Sequence, residues 1–165
     1  MKKIIRFDKT TALRIEADNR CALRPVPPES RIHFPLGLPA FEHIKDYTIL
    51  VNDEVKPFIF LQSLHSSSLC FVCIEPFLIC PDYSVTIPKA AATTLGIEEP
   101  EDTAVLCLVT VARGIEDTTA NLLGPVVINL RTMLGQQLIT EDSAYPVRFR
   151  IWEALQANKQ MHVAS

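Results

Sequence analysis

Tyr47-Thr48-Ile49-Leu50-Val51, Phe58-Ile59-Phe60-Leu61-Gln62 and Leu69-Cys70-Phe71-Val72-Cys73-Ile74 follow one another within 28 residues, and their reading decides the fold. Each run is rich in β-branched and aromatic residues and too short for a helix of ordinary length. Polar residues separate them: Asn52-Asp53-Glu54 after the first, His65-Ser66-Ser67-Ser68 before the third. Three consecutive strands are predicted, the continuously apolar third being central. Upstream, Thr11–Glu16 alternates, with Leu13 and Ile15 opposed to Arg14 and Glu16, and Arg31–Phe34 repeats the pattern. Downstream, Tyr83, Val85 and Ile87 alternate with Ser84 and Thr86. Thr103–Val111 is the longest β-type run. Val126–Leu130 and Gln136–Thr140 follow, joined by a turn that ends in Gly135. Helix is predicted over Lys89–Leu95, between Pro88 and Gly96, and Arg150–Gln160 reads as a C-terminal helix or tail. The fold class is all-β: a small β-barrel-like domain with one or two short helices.

The length of 165 residues sets one domain. It is expected over 1–150, with a basic N-terminal hairpin at 1–24 and an extended Pro-rich connector at 25–30, followed by a helix or tail at 151–165. Apolar residues make up 48% and charged residues 21%, which excludes a chain disordered throughout. Met1–Phe7 offers only Ile4 and Ile5 as consecutive apolar residues, and no run reaches the roughly 18 that a membrane span needs. A cytoplasmic protein without membrane contact is expected.

Charge is unevenly placed. Residues 1–31 hold eight Lys or Arg against four Asp or Glu, residues 32–147 hold five against fourteen, and residues 148–165 hold three against one. An acidic body repels phosphate, so direct nucleic-acid binding is not expected, and a basic protein partner is. The densest group is Glu98-Glu99-Pro100-Glu101-Asp102, with no Lys or Arg nearer in sequence than Lys89 and Arg113. Glu98, Glu99, Glu101 and Asp102, with Asp53 and Glu54, are the candidate electrostatic contacts.

Catalytic signatures are missing from the sequence: there is no GxSxG, HExxH, Walker A or GxGxxG pattern. The protein is therefore not expected to be an enzyme or to carry a cofactor. Cys70 and Cys73 have CxxC spacing, but Phe71 and Val72 continue a strand where a zinc knuckle would turn. Their side chains are therefore expected on opposite faces, and no metal is expected. His65 and Ser66–Ser68 read as a turn. A small-ligand barrel, possibly enzymatic, is the alternative, with Asn121 and Asn129 as its polar groups; both more naturally cap turns or strand ends.

Two Pro-bracketed apolar stretches stand apart: Phe34-Pro35-Leu36-Gly37-Leu38-Pro39-Ala40-Phe41-Glu42 and Pro76-Phe77-Leu78-Ile79-Cys80-Pro81-Asp82-Tyr83. Each reads as a barrel-closing plug or an exposed patch. Phe34–Glu42, Glu75–Tyr83, Thr119–Asn129 and Glu141–Arg148 resemble, in order, the FliW family of flagellar assembly factors over residues 31–148. Leu36 stands where that family usually has Glu, and Ala40 where it usually has Gly. The alanine implies a second turn without positive φ. After Arg148, Phe149-Arg150 replaces the usual His-Pro. The resemblance implies a non-enzymatic β-barrel. It would bind the translational repressor CsrA, relieving repression of flagellin mRNA translation, and flagellin would compete for it. In the first loop Phe34 and Phe41 are expected to be buried. Leu36 or Leu38 is expected at the tip, where it would touch flagellin.

Overall fold

The structure, a computed structural model, describes residues 12–14, 28–139 and 144–163. The strands are β1 (Ala12–Arg14), β2 (Ile32–His33), β3 (Asp46–Val51), β4 (Ile59–Ser63), β5 (Cys70–Ile74), β6 (Thr103–Thr110), β7 (Thr119–Ala120), β8 (Val126–Asn129), β9 (Leu134–Gln137) and β10 (Phe149–Arg150). Helix α1 spans Lys89–Leu95 and α2 spans Ile151–Val163. Strands β6-β5-β4-β3-β2-β9-β8 are hydrogen-bonded in that order, and β8 pairs back to β6, so seven strands close a barrel. Closure removes the free edges an open sheet would present. Only the β2–β9 contact in this ring is parallel.

The three runs that open the sequence form the β3-β4-β5 meander in consecutive antiparallel register: Ile49 lies opposite Leu61, and Leu61 opposite Phe71. Tyr47, Ile49, Leu61 and Cys73 face the interior and are buried. Leu50, Phe60 and Val72 form a row on the outer face and are half-buried, which is why these strands read as nearly unbroken apolar runs. Phe34 packs edge-on against Tyr47 with ring centroids 5.3 Å apart. Gly135 makes room for it: a Cβ there would lie 2.7 Å from the Phe34 ring.

Among the described residues the expected elements hold with two corrections. Tyr83–Ile87 is not a strand. Tyr83 is buried, Val85 and Ile87 are half-buried against the core, and Ser84 and Thr86 are exposed. Its alternation therefore reports an extended chain with one covered face, and its polar groups are met singly: Ser84 N–H donates to Tyr145 Oη (3.0 Å) and Tyr83 O–H to the Leu122 carbonyl (2.6 Å). Second, the last barrel strand starts at Leu134, not Gln136; the turn before it takes its positive φ at Met133 (58°), so Gly135 lies inside β9. The expected strand over Thr11–Glu16 is present at its described residues, Ala12–Arg14, which pair in parallel with Ile49–Val51. The rest of the 1–24 hairpin lies outside the described residues. α1 ends as expected on Gly96, whose φ of 66° provides the left-handed cap. The C-terminal segment is a helix of 13 residues.

Candidate partner-binding surface

The Phe34–Glu42 loop is both plug and display. Phe34 and Leu38 are buried at 0% and 1% exposure, whereas Leu36 is 61% exposed. Leu38 is thus corrected from tip to core. Two tight turns cause the split, with Gly37 N–H donating to the Phe34 carbonyl (2.9 Å) and Phe41 N–H to the Leu38 carbonyl (2.8 Å). Gly37 sits at φ 67°, and a Cβ there would lie 2.5 Å from the Glu42 Cα, so the first turn requires glycine. The second turn corrects another expectation, because Ala40 itself adopts φ 70°. A left-handed alanine costs about 1–2 kcal/mol. Glu42 Oε1 accepts the Ala40 N–H (3.0 Å) and holds the turn. Hydrogen bonds from its own backbone N–H and from that of Ala40 hold the Glu42 carboxyl below its ordinary value. Lys45 Nζ donates to the Pro35 carbonyl (3.1 Å) at the loop base. Phe41 is only partly buried, edge-on to Phe71.

The second stretch divides likewise: Pro76, Ile79 and Tyr83 are buried, and Leu78 is 41% exposed. Beside the loop base, Asp46 accepts from both His33 Nδ1 (2.8 Å) and His65 Nε2 (3.1 Å). His33 is therefore solvent-facing as expected, but tethered.

Glu98, Glu99 and Glu101 are exposed and Asp102 is half-exposed, around the short turn Pro100–Asp102 between α1 and β6. The fold supplies the cation that the sequence places far away. Arg131, from the β8–β9 turn, reaches Glu98 (3.5 Å) and Asp102 (3.7 Å) and donates to the Gly96 carbonyl (3.0 Å). Among the described residues Glu99 and Glu101 have no cationic partner. Asp53 and Glu54 lie exposed in the Asp53–Val55 turn, where Asp53 pairs with Lys56 (2.8 Å) and Glu54 N–H donates to Asn52 Oδ1 (2.9 Å).

The small-ligand alternative finds its polar groups already engaged. Asn121 Oδ1 accepts the Gly124 N–H (2.9 Å). Asn129 is fully buried; its amide donates to the Leu95 and Gly96 carbonyls (2.9 and 3.0 Å), and its oxygen accepts from Arg131 N–H (2.9 Å). Burial pushes the Cys73 thiol up and the Cys107 thiol up to about 12, so neither offers a thiolate at neutral pH. Cys70 and Cys73 lie on β5. Among the described residues no three His, Cys, Asp or Glu side chains are grouped to hold a metal ion, and no helix is long and apolar enough to cross a membrane.

Sequence reasoning missed Arg131, because its contacts with 96–102 span some thirty residues. It also missed Leu78 as a displayed residue.

Comparison with known proteins places this geometry. A family model described as FliW protein matches residues 17–151. A flagellar assembly factor FliW from Caldicellulosiruptor saccharolyticus is 39% identical over 132 residues, covering 80% of this chain and 86% of its own. One from Desulfitobacterium hafniense is 35% identical over 147 residues, covering 89% and 96%. A crystal structure of the flagellar assembly factor FliW superposes with a TM-score of 0.72 at 34% identity, covering 78% of this chain and 90% of that one. The motifs, the closed barrel and these relatives agree: the chain belongs to the FliW family of flagellar assembly factors.

Proposed function

We propose that this protein works by binding other proteins and not by catalysis, in the cytoplasm, as a regulator of flagellin synthesis. It binds the translational repressor CsrA and relieves its repression of flagellin mRNA translation. Flagellin binds in competition and restores that repression. The observation that carries the reading is the doubly turned, hydrogen-bonded Phe34–Glu42 loop, whose buried frame holds one large aliphatic side chain, Leu36, out in solvent. Exposed aliphatic groups on a fixed frame suit a protein partner, since little ordering cost is left for binding. The carboxylates at 98–102 supply the second element, a negative face for a repressor whose own surface must be positive to hold RNA. Arg131 offsets Glu98 and Asp102, so Glu99 and Glu101 carry most of the outward field.

The test is association kinetics with purified CsrA and purified flagellin. Charge reversal at Glu99 and Glu101 to Lys slows CsrA association at low salt, and the wild-type rate falls as salt rises to physiological strength. Leu36→Ala weakens flagellin binding without unfolding the barrel. A reversal variant that associates with CsrA as fast as wild type at low salt removes the carboxylates from the interface.

A further inference from the structure

Strand β2 is the shortest in the barrel ring. It pairs with β3 through Ile32 and His33 and with β9 through His33 alone, whereas β3 pairs with β4 all the way from Tyr47 to Val51. Beside it His33 N–H donates to the Met133 carbonyl (2.9 Å) and Phe34 N–H to the Lys45 carbonyl (2.7 Å). So short a ladder offers little backbone resistance to local opening. The Phe34–Glu42 loop leaves the barrel directly from this strand, so whatever holds β2 also holds the root of the segment that displays Leu36.

Side chains supply a second fastening at this seam. Asp46 sets one carboxylate oxygen on His33 Nδ1 (2.8 Å) and the other on His65 Nε2 (3.1 Å). Three elements thereby meet on one carboxylate: β2, the start of β3, and the turn between β4 and β5. That turn is itself fixed, because Ser63 Oγ accepts the N–H groups of His65 and Ser66 (both 3.1 Å) and Leu64 N–H donates to the Asp46 carbonyl (2.9 Å). The imidazoles are 50% and 58% exposed, so protons reach both from solvent. The other charged groups of the surrounding segments are engaged elsewhere: Lys45 on the Pro35 carbonyl, Glu42 on the Ala40 N–H with His43 near it, and Arg131 on Glu98 and Asp102. Arg31 is exposed, and β9 carries no titratable side chain. Among the described residues His33 and His65 are the only cationic groups at ion-pair distance from Asp46.

We propose that His33, Asp46 and His65 form a proton-operated clamp on the β2 seam, which tightens as pH falls from about 8 to about 6 and steadies the loop that carries Leu36. Histidine is the side chain that ordinarily changes charge in this window. A neutral imidazole gives Asp46 a neutral hydrogen bond, and a protonated one gives a shorter and stronger charge-assisted bond. One carboxylate faces two imidazoles, so the first proton gains an ion pair and the second also meets the repulsion of the first. A proton held more tightly by the folded clamp than by the unfolded chain adds stability below the ordinary histidine value, and that stability is lost as pH rises through the folded one. In stronger acid Asp46 itself takes a proton and the clamp releases. The step from loop order to flagellin binding rests on the role given to Leu36 above; the clamp itself does not.

Hydrogen exchange on the full chain at about pH 6 and about pH 8, corrected for intrinsic exchange rates, tests the clamp without any partner. The reporters are the amides of His33, Phe34, Gly37 and Leu64. In the wild type they are about three-fold better protected at the lower pH, the size that exposed ion pairs allow. The His33→Asn, His65→Gln double variant keeps an amide N–H close to where each ring nitrogen stands but cannot titrate, and its protection is the same at both pH values. Asp46→Asn removes the difference too, and serves where the double variant folds poorly. Equal wild-type protection at the two pH values, or a difference that persists in the variants, overturns the proposal. Flagellin affinity is measured at the same two pH values, and the wild-type ratio is divided by that of the double variant, which cancels the titration of flagellin itself. A quotient of about three supports the clamp as a regulator of binding. Exchange that responds while the quotient shows no effect upholds the clamp and removes the Leu36 loop from the flagellin interface.

Discussion

Asn129→Ala tests whether the amide in the 119–129 motif is a fastener or a ligand group. The side chain makes three well-formed bonds, to the carbonyls of Leu95 and Gly96 and from the N–H of Arg131, at 2.9–3.0 Å, and a longer one from Thr132 N–H at 3.4 Å. At about 1 kcal/mol net for each good bond, the loss is about 3 kcal/mol. Two circumstances keep it from growing. Thr132 Oγ1 still donates to the Leu95 carbonyl (2.8 Å), and Arg131 Nη2 still donates to the Gly96 carbonyl (3.0 Å). The donors left without this acceptor are therefore the Arg131 N–H and the more weakly bonded Thr132 N–H. Urea unfolding followed by far-ultraviolet circular dichroism reads the change. With a slope of about 2 kcal/mol/M, the midpoint falls by about 1.5 M. Asn129→Asp keeps the acceptor, loses both donated bonds and sets a carboxylate against two carbonyl oxygens, so at neutral pH it costs at least as much. A midpoint within about 0.3 M of wild type for the alanine variant would refute the fastener role and return the amide to the ligand reading.

Leu38→Ala costs about 2–5 kcal/mol because it empties a buried site, while Leu36→Ala changes stability by less than about 0.5 kcal/mol; the same urea titration separates them, and equal losses would contradict the turn geometry. Ala40→Gly relieves left-handed strain of about 1–2 kcal/mol and loses about 0.4–1 kcal/mol through a freer unfolded chain, raising the melting temperature by about 1–3 °C; a lower melting temperature would show that the strain is absent. The hydrogen bond from His33, opposed by partial burial and joined by one from His65, holds the Asp46 carboxyl below its ordinary value. A depressed carboxyl stabilises the fold above the unfolded value of about 3.9, and that stability is lost as pH falls through the folded value. Asp46→Asn therefore lowers the melting temperature near neutral pH, and its gap to wild type closes in acid; a gap independent of pH would sink the tether.

The barrel was legible because its strands are short, β-branched and punctuated. The Lys89–Leu95 helix was legible because Pro88 and Gly96 bracket it. What escaped was decided by tertiary contact. Tyr83–Ile87 has the alternation of a strand, yet alternation reports only that one face is covered. Gly135 drew the turn toward itself, although Met133 accepts the left-handed conformation and the glycine is needed where the Phe34 ring lies. Leu36 and Leu38 are the same residue type two positions apart. Only the turn at Gly37 decides which points outward, and no pattern in the sequence records that choice. The carboxylates at 98–102 were found from density alone, and their partial neutralisation was not, because Arg131 arrives from another turn.

The closed barrel also limits how this protein can bind. Motif side chains such as Phe34, Leu38, Ile79, Tyr83, Leu122 and Val126 to Asn129 are consumed in building it. Among the described residues, ring closure leaves no vacant edge in the seven-stranded barrel for a partner strand, and the asparagine amides face backbone groups. On the proposed reading, recognition falls to side chains that stand off the frame, among them the exposed Leu36, Leu78, Glu99 and Glu101. A surface with so few large contacts gains affinity from their being held in place, because each group fixed beforehand avoids an ordering cost of about 0.5–1.5 kcal/mol on binding. The first loop meets that requirement through Gly37, whose lack of a Cβ lets the backbone close onto Glu42, and through Glu42, which in turn holds Ala40. If Leu36 binds as proposed, a substitution at Gly37 would thus disturb binding through the direction of Leu36 even with the barrel folded.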